Sequence, residues 1–222
     1  ALRPQNADPL VHQLVYSMLL WESSHRAAGE GLGRLLEGVV DYNELRVCSL
    51  LELRDMLPRD FPRREERADR LLCTLNAIFL EENGLSLMTL QTLPKREARQ
   101  YLDAIDALPA FGAARVMLIG LGGHAFPADD RLAAILRDAG ALAPDFPTDL
   151  PAADLVARLE RAVRAADAPR VYALLESEAD HRPSQSPSSE RPARSRSGAK
   201  RTAVAEAQPS DPAPTGDHAG TE

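Results

Sequence analysis

With 222 residues, the chain is long enough to bury one sizeable core or two small lobes that share a cleft. Its hydrophobic content of 44% is that of an ordinary globular protein, and it holds no apolar run of the roughly 18 residues that a membrane-spanning helix needs. The formal charge of −7 argues against a general polyanion binder.

Charge is unevenly divided. Residues 1–180 carry 20 Lys and Arg against 28 Asp and Glu, whereas the remaining residues carry six against five. Because neutralised phosphates supply most non-specific DNA affinity, so acidic a body predicts weak, salt-sensitive DNA binding unless its positive charge is segregated. No charged-then-apolar signal segment opens the chain, which begins at Ala1. The two cysteines, Cys48 and Cys73, each fall inside an apolar helical pattern and are expected to be buried thiols in a reducing compartment.

Asp8-Pro9 is a helix start, a capping carboxylate followed by a proline whose missing N–H costs nothing there. Leu10, Leu14, Met18 and Trp21 recur at helical spacing with Val11, Val15 and Leu19 beside them, so the first helix is expected at the centre. Trp21 is read as core, with base stacking as the alternative. Glu22, Ser23 and Ser24 end this helix, and Glu22 reads as its solvated end. Residues 27–48 form a helical stretch broken by Gly29, Gly31, Gly33 and Gly38; its Gly-Leu-Gly lacks the flanking features of a phosphate loop. Ser49 with Glu52 is a capping box. Arg63 to Glu82 is the longest helix, stopped by Asn83-Gly84.

Leu87 to Leu93 reads as a crossing loop, and Lys95 to Leu108 as an amphipathic helix that Pro109 stops. Gly112 opens the next pattern, Val116 to Leu121, so that 108–115 forms a tight helical hairpin; the free N–H groups of its second helix suit a phosphate. A flexible glycine segment, 120–123, follows. Pro127-Ala128-Asp129-Asp130 feeds a helix that ends at Gly140; one aspartate caps it and the other is free for different work. A proline-rich loop over 144–151, with Asp149 as a cap, leads to two last helices, around 155–166 and from Pro169. No alternating strand pattern appears, so the expectation is an all-α domain over 1–180. Residues 181–222, rich in Ser, Pro and Arg, hold no aromatic and only one large aliphatic, Val204, and are expected to be a disordered tail; its basic stretch Arg191–Arg201 either contacts nucleic acid or has no specific role. The five histidines are scattered, with no metal-ligand spacing, and no cofactor is expected.

Leu108-Pro109-Ala110-Phe111-Gly112, followed by an apolar run and Asp129, resembles the helix-hairpin-helix/Gly-Pro-Asp DNA glycosylase superfamily, endonuclease III and the adenine-mismatch glycosylase in particular. The resemblance extends more weakly over roughly residues 8–176. It implies a two-lobed helical fold in which Leu108, Pro109, Ala110, Phe111, Gly112, Ala113, Ala114 and Arg115 hold one DNA strand. Asp129 would be the catalytic carboxylate, stabilising the positive charge that develops on the sugar, and Trp21 and Glu22 would face the base pocket. The departures are specific. Ala110 replaces the first hairpin glycine, Ala113 the usual cation, and Ala114 the lysine of the bifunctional members, so the resemblance implies no lyase step. Asp129 also arrives a few residues early, and the cysteines of the family's iron–sulfur cluster are missing. The implied protein is a cytoplasmic monomer, nucleoid-associated if bacterial, whose partner is double-stranded DNA, damaged or intact. It acts in base-excision repair, at most as a monofunctional N-glycosylase. The alternative is a catalytically degenerate relative acting as a DNA- or protein-binding module.

Overall fold

The computed structural model describes Pro4 and residues 7–142 and 152–182, with backbone alone at 152 and 153. Among these residues the secondary structure is helical throughout, with no strand. The ten α-helices are α1 (Pro9–Leu20), α2 (His25–Gly38), α3 (Tyr42–Val47), α4 (Leu50–Met56), α5 (Arg64–Glu82), α6 (Lys95–Asp103), α7 (Ala110–Arg115), α8 (Asp130–Asp138), α9 (Ala152–Ala162) and α10 (Ala168–His181).

The helix starts follow their local chemistry. Asp8 accepts from the Leu10 N–H at 2.7 Å, while its other oxygen takes the Ser86 hydroxyl and the Leu87 N–H, at 2.7 and 2.6 Å. One carboxylate therefore caps α1 and ties it to the segment after α5. Ser24 and Asp41 cap α2 and α3, Ser49 and Glu52 form the capping box of α4, and Asn83 ends α5 in the left-handed conformation (φ 51°).

Helix α1 is buried nearly all round: Leu10, Val11, Leu14, Val15, Met18, Leu19 and Leu20 are at most 2% exposed. It packs on α2, α5, α7 and the turn after α7. Helices α2 to α5 pack among themselves, as do α6 to α10, and α1 touches members of both sets.

Several local expectations need correction. The glycines do not break α2, which runs unbroken through Gly29, Gly31 and Gly33 because Gly31 lets the helix close on Phe61. Residues 88–91 form a 3₁₀ turn within the expected loop, and α6 stops at Asp103, five residues short of Leu108. Val116–Gly120 continues α7 as a π-helical turn, so the segment is one element rather than a new helix. Cys48 is only partly buried and Cys73 is exposed. The 144–151 loop with Asp149, and the tail from residue 183, lie outside the described residues.

Candidate functional site at the end of α1

The C-terminal carbonyls of α1 would be left unpaired in the core if nothing reached them. Arg67 on α5 supplies the donors. Its guanidinium donates to the carbonyls of Met18, of Leu19 at 2.9 Å and of Trp21 at 2.6 Å, and its Nε donates to Pro62 at 3.2 Å. The residue is 1% exposed, and burial lowers its pKa to about 10, with the Glu22 carboxylate opposing that fall. The positive charge also sits at the negative end of the α1 dipole. Trp21, 9% exposed, lies against this arginine, and the guanidinium carbons of Arg63, Arg67 and Arg70 stand 4.9, 5.6 and 5.3 Å from its ring.

Two predicted parts of the site converge on this end of α1. Arg70 donates to the carbonyl of Ala107 at 3.3 Å, bringing in the loop that leads into Leu108 and Pro109. A Cβ at Gly112 would stand 3.0 Å from Leu108 and 3.9 Å from Met18, so the glycine lets α7 close on both. From the other direction, Asp129 accepts from the backbone N–H of Glu22 at 2.8 Å. The carboxylate thus holds the Trp21–Glu22 turn directly, and the loop before the hairpin is joined to it through Arg70.

Their side chains, however, are turned inward. Asp129 is 1% exposed. One of its oxygens takes the Leu132 N–H at 3.1 Å, capping α8; the other takes Glu22 and the Arg131 Nε, the latter at 3.0 Å. Burial pushes its carboxyl pKa up, against the opposing pull of Arg131 and the two N–H donors. Of the two aspartates, Asp129 is therefore the cap, and the exposed one is Asp130. Phe111, Ala113 and Ala114 are at most 1% exposed and Leu108 is 7%. Arg115, expected as the cation nearest the DNA, is instead buried: it donates to the Tyr172 hydroxyl at 3.0 Å and to Ser17 Oγ at 3.1 Å. Pro109 is buried as well, and Ala110 is the one hairpin residue with partial exposure.

Glu22 is not a solvated helix end. Its side chain is 15% exposed and pairs with Arg63 at 2.9 Å. Burial raises its pKa, Arg63 and Arg67 oppose the rise, and Asp130 and Asp129 add to it.

Compared with known proteins, the chain matches no family model and no curated sequence.

Behind Asp129 runs a polar network that the sequence reading missed. Arg131 reaches Glu176 on α10 at 3.5 Å, Glu176 accepts from the Tyr172 hydroxyl at 2.9 Å, and Tyr172 accepts from Arg115. His25 stands 3.5 Å from Glu176 and 2.7 Å from the Tyr16 hydroxyl. For Glu176 burial works against ionisation, yet the His25 hydrogen bond, the Arg131 charge and the Tyr172 hydroxyl prevail and its pKa falls below the usual carboxylate value. That network left no local signal, but the buried Arg67 did: it shares a helix face with Leu71, Leu75 and Ile78, all 0% exposed, where a cation needs dedicated partners. A shallow recess of about 410 Å³, lined among others by Val163, Arg170, Val171 and Leu174, contains none of the predicted site residues.

Proposed function

We propose that this chain is a catalytically degenerate relative of the endonuclease III-like glycosylases, which keeps their two-lobed helical framework as a DNA-binding module. The observation that carries this reading is the state of Asp129. A glycosylase carboxylate must face the sugar of an extruded nucleotide, whereas this one caps α8, holds the Glu22 N–H and pairs with Arg131 at 1% exposure. Ala114 in place of the lysine and the inward turn of Arg115 favour the same conclusion.

The second reading, a monofunctional N-glycosylase, is favoured by one observation, the approach of the hairpin loop and Asp129 to the same turn at Trp21 and Glu22. Base release separates the two. Duplexes carrying uracil, alkylated, oxidised or mismatched bases are incubated with the wild type and with Asp129→Asn, then treated with alkali to reveal abasic sites. The expected result is no release from any duplex, with weak binding that salt abolishes and that persists in the variant. Alkali-revealed cleavage by the wild type, lost in Asp129→Asn, would restore the enzyme.

A further inference from the structure

The turn that closes α1 is strained in an unusual way. Glu22 and Arg63 both adopt the left-handed backbone conformation, with φ of 50° and 51°. A Cβ makes that conformation unfavourable, so tertiary contacts must hold it. The two strained residues come from different elements, yet their side chains meet at 2.9 Å. Backbone strain held between two such residues by tertiary structure marks a place where the fold is doing something other than minimising local energy. The Glu22 backbone is pinned by Asp129, so the side chain is the part free to leave.

The charge around this pair is arranged for an anion. Arg63, Arg67 and Arg70 surround the Trp21 ring, and the ion pairs formed there come from two carboxylates: Glu22 on Arg63, and Glu66 on Arg63 and Arg70, at 3.3 and 2.9 Å. Arg67 gives its hydrogen bonds to carbonyls. Arg63 is also the N-cap of the 19-residue α5, whose first turn receives no side-chain cap, so the positive end of a long helix dipole adds to the cluster. Arg63 and Arg70 keep 42% and 33% of their side-chain surface open. Burial and the nearby Asp129 and Asp130 weaken the hold of the Glu22 carboxylate.

We infer that Arg63 and Arg70, over the Trp21 ring, form a phosphate-binding site in which the Glu22 side chain is a built-in competitor. A phosphate group displaces Glu22 and takes paired donors from guanidinium forks better matched to it. This deepens the DNA-binding reading but is separable from it, because duplex binding that ignored Glu22 would leave that reading standing and remove this one.

Trp21 is the sole tryptophan of the chain, so its fluorescence reports on the site alone. Wild type, Glu22→Gln, and Glu22→Gln combined with Arg63→Gln or with Arg70→Gln are titrated with a short DNA duplex and, separately, with inorganic phosphate. Glu22→Gln is expected to bind about tenfold more tightly, equivalent to about 1.4 kcal/mol, with Trp21 emission changing in parallel, and either arginine substitution is expected to abolish the gain. A gain for the duplex alone identifies DNA as the ligand; an equal gain for inorganic phosphate identifies a free anion. Affinity and emission unchanged in Glu22→Gln would overturn the inference, leaving Glu22 as a plain counter-charge. Should that variant fail to fold, Glu22→Asp, whose shorter arm withdraws from Arg63, carries the same expectation to a smaller degree.

Discussion

Individual side chains at the end of α1 gain their roles from partners rather than from their own type. Asp129 is the clearest case, because a capping aspartate and a catalytic one look alike in sequence. Its three acceptor contacts in the core predict a structural penalty on substitution: Asp129→Asn is expected to lose about 3 kcal/mol, since an amide nitrogen would face donors. Denaturant unfolding measures this, and a variant as stable as the wild type would contradict the account.

The acids around it predict opposite pH dependences. Glu176 titrates below its unfolded value, so the unfolded chain takes up the proton first. Its contribution is complete above the ordinary carboxylate range and is lost as pH falls through the folded value. Glu176→Gln is therefore expected to be about 3 kcal/mol less stable at neutral pH and to converge on the wild type in acid. Glu22 titrates above its unfolded value, so the folded protein is protonated first. Keeping Glu22 ionised costs stability at neutral pH, and that cost vanishes below the ordinary value. Glu22→Gln is expected to stay within about 1 kcal/mol of the wild type, half-exposed Arg63 being its main partner. A Glu176→Gln deficit that does not shrink in acid would contradict the assignment.

At the level of the elements, capping and glycine placement decide where helices stop and how closely they approach. In α2 the two kinds of glycine sit side by side. A Cβ at Gly29 meets nothing within 4 Å, whereas one at Gly31 lies 2.9 Å from the Phe61 ring. Gly29→Ala is expected to raise stability by about 0.5–1 kcal/mol, because alanine loses less entropy in a helix. Gly31→Ala is expected to lower it, because Phe61 is 4% exposed and its ring must shift within a packed core. Thermal melting of the two variants, one rising and one falling, checks this directly. The unbroken run of α2 has the same origin, since contacts with its neighbours outweigh the propensity cost of its glycines.

For the molecule as a whole, α1 is the axis: buried along most of its length, it packs against α2, α5 and α7. The end of that axis is where Arg67 and Asp129 meet backbone groups of the Trp21–Glu22 turn, and where Arg70, over the Trp21 ring, holds the Ala107 carbonyl. The helical class and several helix ends were legible in the sequence, because Asp8, Ser49 and Asn83 act on backbone within a few residues of themselves, whereas Ser24, read there as the end of α1, caps α2. Helical periodicity likewise marked the core faces of α1 and α5.

What tertiary structure alone decided is which polar groups those faces enclose. Asp129 meets Glu22 across 107 positions of chain, Arg115 meets Ser17 across 98, and Arg67 reaches Leu19 across 48. A charged side chain is driven inward only when its partners are already in place to replace water. No local pattern records such partners, and so the same Asp129 reads as a reactive carboxylate in the sequence and as a tie between α1 and α8 in the fold.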